Sequence, residues 1–175
     1  MSGDLTGKRA LVTGGSRGIG RATVLELARR GSDVAFTYTR SAESAEAVRA
    51  EAEALGRRAL AVQSDVTSFE AARQLVDEVK SAFGGIDVLV NNAGITRDKL
   101  ILQMSEADWD AVVDTNLKGV FNVTKHAVAL MVKQRKGRVV NIGSISGLVG
   151  LPGQSNYSAS KAALGGFTRS LANEL

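Results

Sequence analysis

The sequence contains no cysteine, one histidine (His126) and one proline (Pro152) among 175 residues. The lack of cysteine excludes disulfide frameworks, cysteine-based zinc sites and thiol catalysis. A single histidine gives poor support to a multi-histidine metal site or a Ser–His–Asp triad, so we expect no metal. Because His126 lies within an apolar helical pattern, a structural role is favoured for it.

Long apolar runs and strongly basic runs are also missing. No stretch reaches the roughly 18 apolar residues of a membrane span, and the N-terminus has no apolar signal region. The net charge is a modest +4. The sequence therefore predicts a cytoplasmic protein with no membrane or nucleic-acid partner. Its densest basic stretch, residues 133–138, is either a solvated helix end, which the helix dipole favours, or a docking patch for an acidic partner.

Glycine, by contrast, is abundant, with 19 residues in a chain that is otherwise 44% hydrophobic and 23% charged. That overall composition is typical of a globular domain, for which average glycine usage is about 7%. The glycines cluster at residues 14–20, 84–85, 143–153 and 165–166. Such clusters indicate tight turns where the backbone approaches a ligand.

Short apolar runs alternate with amphipathic helical patterns along the whole chain. This alternation predicts an α/β fold, a doubly wound, Rossmann-like parallel sheet of about five strands, formed as one domain over residues 1–175. Ser41 and Ser68 are expected N-caps, and Gly84-Gly85 a C-cap. The predicted strands are 10–13, 34–38, 59–62, 86–90 and 139–142, and the clearest helical patterns after the first are 42–55, 69–83, 117–135 and 155–175.

The helical pattern at 117–135 is apolar around much of its circumference. This predicts burial on two sides, one of them against another subunit, and so a homo-oligomer.

A glycine-rich turn follows the first strand, in the sequence Thr13-Gly-Gly-Ser-Arg-Gly-Ile-Gly20. A strand, such a turn and a helix N-terminus together form an anion site, which predicts nucleotide binding. NAD sites usually carry an acid at the end of the second strand, but residues 36–41 contain none. Arg17 and Arg40 instead suit a 2′-phosphate, which favours NADP(H). The alternative for Arg40 is an ordinary exposed loop cation.

The chain resembles the short-chain dehydrogenase/reductases through motifs that occur in the family's order along nearly its whole length. The sequences Asn91-Asn-Ala-Gly-Ile-Thr-Arg-Asp98 and Gly143-Ser-Ile-Ser-Gly147 further resemble the 3-oxoacyl-acyl-carrier-protein reductases. That resemblance implies NADPH-dependent reduction of a 3-oxoacyl thioester to the 3-hydroxyacyl form in fatty-acid biosynthesis, with acyl carrier protein as a partner and a homotetramer typical of the family. The other motifs are Thr13–Gly20, Asp65-Val66, Asn116, Ser144 and Tyr157-Ser-Ala-Ser-Lys161.

The resemblance also implies roles for individual residues. Asp65 and Val66 would contact adenine, Thr39 and Arg40 the adenosine ribose and its phosphate, and Asn92, Ala93 and Gly94 the cofactor at the end of the fourth strand. Asn116, Ser144, Tyr157 and Lys161 would form a catalytic tetrad, with Tyr157 and Lys161 also binding the cofactor. The phosphate turn would contribute Gly14, Gly15, Ser16, Arg17, Gly18, Ile19 and Gly20.

These residue types suit the reduction of a ketone. Free tyrosine has a pKa near 10, and a cation nearby stabilises its phenolate form. Tyr157 and Lys161 are four residues apart, so a helix would place them on the same side. Ser144 would polarise the substrate carbonyl, and Asn116 would hold a water that relays protons to Lys161.

The family's sheet generally has seven strands, and this sequence predicts five, ending within the helix that follows the fifth. We therefore expect a fragment whose fifth strand has a free edge, which favours pairing with other chains. Two alternatives stay open: a reductase of another carbonyl substrate (an acyl-CoA, a sugar or a steroid), and a catalytically weak nucleotide-binding module.

Overall fold

A computed structural model describes residues 4–175 and contains a five-stranded, fully parallel sheet. The strand order is β3-β2-β1-β4-β5, so the direction of winding reverses between β1 and β4. This confirms the predicted α/β, Rossmann-like fold, with strand boundaries within two residues of those expected. The strands are β1 (Arg9–Val12), β2 (Asp33–Tyr38), β3 (Ala59–Gln63), β4 (Val88–Asn91) and β5 (Arg138–Asn141).

Helices cover both faces of the sheet and give it two apolar cores. Alternation along β1 sends Leu11 into one core, while Ala10 and Val12 enter the other. Helices α3 and α5 contribute to the first core, and α1 and α2 to the second. The helices are α1 (Gly18–Arg29), α2 (Ala42–Ala54), α3 (Phe69–Phe83), α4 (Glu106–Val113), α5 (Gly119–Gln134), α6 (Ser146–Val149) and α7 (Ser155–Glu174).

All three expected cap residues occupy cap positions, although one of them makes no side-chain cap. The Ser68 side chain accepts a hydrogen bond from the Ala71 backbone N–H, and Gly84 ends α3 with φ at +82°. Ser41 occupies the N-cap position of α2, but its side chain makes no capping hydrogen bond. Its φ of +55° is left-handed, whereas a capping side chain normally extends from a β-region backbone.

The helix expected from residue 117 is the second half of a longer helical segment. It begins with α4, whose N-terminus has a capping box between Ser105 and Asp108. A single π-helical turn, Asp114–Lys118, joins α4 to α5. The sequence prediction missed α4 because it has only eight residues, and a π turn breaks the 3.6-residue spacing between α4 and α5. It also missed the four-residue α6.

Strand β5 pairs only with β4 among the residues that the structure describes, so its other edge is free, as predicted. A groove of about 730 Å³ follows this edge between α5 and α7. The ring centres of His126 and Phe69 lie 4.5 Å apart with the ring planes tilted by 57°, on the side of α5 that meets α3. Within residues 4–175, no helix combines the length and hydropathy needed to cross a membrane, and no group of acidic or histidine side chains could hold a metal.

Candidate active site

The predicted site residues come together at the carboxyl edge of the sheet, near the reversal between β1 and β4. In open parallel sheets, ligands bind at this position. A cleft of about 420 Å³ opens there between the glycine turn after β1, the loops after β4 and β5, and the start of α7. Its walls include Arg17, Ile19, Asn92, Gly143, Tyr157 and Lys161.

The glycine turn is packed too closely for side chains at two of its positions. A Cβ at Gly20 would overlap the carbonyl of Gly14, and one at Gly15 would overlap the ring of Phe36. Helix α1 then starts at Gly18 with no acidic residue in its first turn, and no described side chain caps it. Its first N–H groups are therefore available to an anion, and the helix dipole favours negative charge there.

Asn92 ties the loop after β4 to the glycine turn. Its Nδ2 donates to the carbonyls of Thr13 (2.9 Å) and Gly14 (3.0 Å). Thr13 Oγ1 accepts in return from the backbone N–H groups of Asn92 and Ala93, at 3.0 Å each. The Asn92 amide thus holds the turn in place and leaves Gly94 and Ile95 on the cleft wall.

Two threonines that support the turn were not among the candidate site residues. Thr13 is only 2% exposed and makes the contacts just described. Thr37, in β2, accepts from the Gly14 backbone N–H at 2.9 Å through Oγ1. The signal in the sequence was a threonine at or near a strand end beside the glycine turn, which is weak because threonine is common in strands.

Asn116 lies in the π turn and is completely buried. Its amide makes two hydrogen bonds with the backbone of Ile95, accepting from the N–H at 2.8 Å and donating to the carbonyl at 3.0 Å. It also donates to Ser160 Oγ in α7 at 3.3 Å. π turns are frequent at functional sites. This one joins the helix α4–α5 to the loop that forms the cleft wall.

Tyr157 and Lys161 both reach the cleft from the first turns of α7. Lys161 Nζ lies 5.8 Å from the centre of the Tyr157 ring and donates to the backbone carbonyl of Ile142 at 2.7 Å. Burial lowers the pKa of the Lys161 ammonium. A cation in this position can stabilise a phenolate.

Ser144 follows β5 and is half-buried beside Gly143, which lines the cleft. Its Oγ accepts from the backbone N–H of Ser146 at 3.2 Å. That contact occupies one lone pair of the hydroxyl and leaves its hydrogen free to be donated.

The residues expected to bind the adenosine half of the cofactor lie along the same sheet edge, beyond β1, and do not line the cleft. Thr39 and Arg40 are exposed after β2, and Asp65 is exposed after β3. The Asp65 carboxylate accepts from the backbone N–H and the hydroxyl of Thr67, at 2.9 and 2.8 Å. Val66 is buried against Gly119. Arg17, in the glycine turn, lines the cleft.

The short chain dehydrogenase family matches residues 8–175. The chain is 52% identical over 168 residues to the 3-oxoacyl-acyl-carrier-protein reductase FabG of Staphylococcus aureus, covering 96% of this chain and 68% of that protein. A reductase of the same name from Synechocystis is 53% identical over 171 residues, covering 98% and 69%.

A solved structure assigned to the short-chain alcohol dehydrogenases of Sinorhizobium meliloti superposes with a TM-score of 0.94 at 43% identity. The match covers 98% of this chain and 68% of that one.

Proposed function

Because the chain belongs to the short-chain dehydrogenase family, we propose that it is an NADPH-dependent reductase of 3-oxoacyl thioesters. The observation that best supports this proposal is that Tyr157 and Lys161 line the same cleft as the glycine turn and Asn92. The relatives at about half identity, named as 3-oxoacyl-acyl-carrier-protein reductases, support this substrate class.

The residues of the cleft fit a dinucleotide. The uncapped N-terminus of α1 suits a pyrophosphate, and Ile19, although apolar, is 65% exposed on the cleft wall where a ligand can cover it. Arg40, Thr39, Asp65 and Val66 would hold the adenosine half beyond β1. When bound, the nicotinamide supplies the hydride that the carbonyl carbon accepts.

Tyr157 is the group that protonates the substrate. As hydride adds to the carbonyl carbon, negative charge develops on the oxygen, and the Tyr157 hydroxyl transfers its proton there to complete the alcohol. Ser144 donates a hydrogen bond to the same oxygen and stabilises that charge. The Lys161 ammonium favours the phenolate that remains on Tyr157 until a proton returns from solvent. Lys161 would pass a proton to the Tyr157 phenolate and regain one through a water. Because both amide hydrogens of Asn116 are donated to Ile95 and Ser160, Asn116 would hold that water through an acceptor oxygen.

Preference for NADPH over NADH follows from the charges after β2. Residues 36–41 carry Arg40 and no carboxylate. A guanidinium pairs with a 2′-phosphate, whereas an acid in this position would repel it.

The proposal includes one dinucleotide-binding and catalytic domain over residues 1–175 and assembly into a homo-oligomer. A single sheet carries both apolar cores, which supports one domain. Phe121 and Val132 on α5 are large, apolar and exposed, which supports an interface there. Acyl carrier protein is the proposed macromolecular partner.

The test is reduction of an acetoacetyl thioester by the chain, followed through NADPH absorbance and paired with NADPH titration by fluorescence. We expect turnover by the wild type, and from Tyr157→Phe a loss of at least a hundredfold with cofactor affinity largely intact. Full turnover by Tyr157→Phe would contradict its role. NADPH binding without wild-type turnover would favour the non-catalytic module, and turnover only with sugar or steroid ketones would change the substrate class.

A further inference from the structure

The serine expected to bind the substrate carbonyl is linked to the loop after β4 by a chain of hydrogen bonds that involve side chains. Ser146 begins the chain, since its backbone N–H donates to Ser144 Oγ at 3.2 Å. The Ser146 hydroxyl then donates to Gln154 Oε1 at 2.6 Å, and Gln154 Nε2 donates to Asp98 Oδ2 at 2.9 Å. Asp98 follows Arg97, which lines the cleft.

The direction of each hydrogen bond in this chain is determined by its partners. The Asp98 carboxylate can only accept, so the Gln154 NH₂ group must face it. The Gln154 carbonyl oxygen is then left to accept from Ser146. The central group is well shielded, since Ser146 is only 2% exposed. Removing Gln154 would leave the Ser146 hydroxyl only its longer contact with Ser158 Oγ, at 3.3 Å, and a buried hydroxyl that loses its better partner costs the fold stability.

Further contacts keep the same segments together without restraining Ser144 directly. The Lys99 backbone N–H donates to the Gly153 carbonyl at 2.8 Å. Gly147 lies so close to α7 that a Cβ there would be 2.7 Å from the backbone nitrogen of Ala162. Helix α6 is therefore held against α7, while the Ser146–Gln154 contact sets the orientation of the residue that binds Ser144 Oγ.

We propose that Gln154 is a positioning residue: by bridging Asp98 and Ser146 it holds the Ser144 hydroxyl in place beside the cleft. It touches neither substrate nor cofactor in this role. A small displacement of a group that stabilises developing charge has a large effect on rate, because the stabilisation depends on preorganised geometry. This inference rests on the proposed reductase function.

The test replaces Gln154 with the similarly sized leucine in the whole chain and measures acetoacetyl thioester reduction. We expect kcat to fall about tenfold to a hundredfold. The dissociation constant for NADPH should not change, because Gln154 lies outside the proposed cofactor contacts. The exposed Gln103→Leu is the matched control and should behave as the wild type.

An exchange of partners separates positioning from general stability. Gln154→Glu alone should lower kcat, because its carboxylate faces that of Asp98. Combining it with Asp98→Asn restores a donor–acceptor pair in the reverse direction, and kcat should return to within about threefold of the wild type. If Gln154 were merely structural, its variants would lose thermal stability and NADPH affinity together, and the exchange would not restore kcat. That result would overturn the proposal.

Hydrogen exchange distinguishes failure of this inference from failure of the proposed function. If the wild type binds NADPH without turnover, the reductase function fails, but the Ser146 amide still reports on positioning. Gln154→Leu should then speed exchange at that amide at least tenfold and leave the amides of β4 unchanged. Equal exchange in Gln154→Leu and the wild type would overturn the inference.

Discussion

Lys161 Nζ donates a 2.7 Å hydrogen bond to the backbone carbonyl of Ile142. The contact joins α7 to the end of β5 and fixes the ammonium beneath Tyr157. Lys161 is only 8% exposed, so its charge is held largely away from water. Burial accordingly lowers the pKa of Lys161. Burying this charge reduces the stability of the fold, but it places the ammonium where the proposed chemistry needs it.

Lys161→Met should abolish turnover and change how stability depends on pH. At pH values between the lowered pKa of folded Lys161 and the ordinary value near 10.4, the unfolded chain binds more protons than the folded chain. The free energy of unfolding of the wild type therefore rises with pH in this range. The variant lacks this gain. Its Tm relative to the wild type should therefore fall as the pH rises towards 10, as measured by thermal unfolding. The exposed Lys125→Met should show no such trend. A constant difference for Lys161→Met would contradict the burial argument.

Gly20→Ala should disrupt the glycine turn, because the added Cβ overlaps the Gly14 carbonyl. That carbonyl belongs to the backbone and cannot move without distorting the turn. We expect NADPH affinity to fall more than tenfold by fluorescence titration, with circular dichroism reporting whether the fold persists. Gly166→Ala in α7 is the control, since no atom lies within 4 Å of its added Cβ. It should stabilise the helix slightly, by up to about 1 kcal/mol. Wild-type affinity in Gly20→Ala would show that the turn can relax.

Arg40→Ala should weaken binding of NADPH about tenfold to a hundredfold and leave NADH affinity nearly unchanged. A hydrogen bond to a charged group is worth about 1.5–3 kcal/mol, and only NADPH has the 2′-phosphate. The ratio of the two dissociation constants is the measurement. Arg169→Ala, an exposed cation on α7, should leave that ratio as it is in the wild type. An unchanged ratio in Arg40→Ala would identify Arg40 as an ordinary loop cation.

Asp87→Asn should destabilise the fold at neutral pH. The Asp87 carboxylate accepts from Arg9 Nε at 2.7 Å and lies 3.0 Å from Lys136 Nζ. The hydrogen bond from Arg9, with a further contribution from Lys136, holds the pKa of Asp87 far below its usual range. This stability is complete above pH 4 and is lost as the pH falls through the lowered pKa.

Urea unfolding should show a loss of about 2 kcal/mol for Asp87→Asn at pH 7. The difference from the wild type should shrink as the pH falls below 4. The exposed Asp110→Asn should have little effect at either pH. A difference for Asp87→Asn that stays constant down to pH 2 would refute the ion-pair explanation.

The basic stretch at residues 133–138 can be tested as a docking patch by replacing Lys133 and Arg135. Lys136 is unsuitable, because its ion pair with Asp87 makes it part of the fold. Arg135 has φ at +54°, so Arg135→Asn removes the charge with a residue that tolerates this conformation.

For Lys133→Gln with Arg135→Asn, we expect KM for a carrier-protein-linked substrate to rise severalfold and to lose much of its salt dependence. KM for a small thioester should not change. Lys125→Gln on the same helix is the control. If carrier-linked KM stays the same, the stretch is a solvated helix end.

The strand pattern and the glycine turn could be predicted because each depends on local chemistry. Buried parallel strands are short apolar runs, and only glycine fits at positions such as Gly20. The α4 helix, the π turn at Asn116 and the backbone of Ser41 could not be predicted in this way. Helix α4 is too short for a clear pattern, the π turn breaks the 3.6-residue spacing, and nothing in the structure explains the left-handed backbone of the exposed Ser41.

The sequence by itself determined which residue types are present and in what order, so it determined the fold class, the glycine turn and the candidate tetrad. Only the tertiary structure decided what those side chains do. It assigned the Asn92 amide to the turn, the Asn116 amide to Ile95, and Gln154 to the link between Asp98 and Ser146. These partners lie up to 79 residues apart in the chain and meet because parallel strands bring their carboxyl ends to one edge.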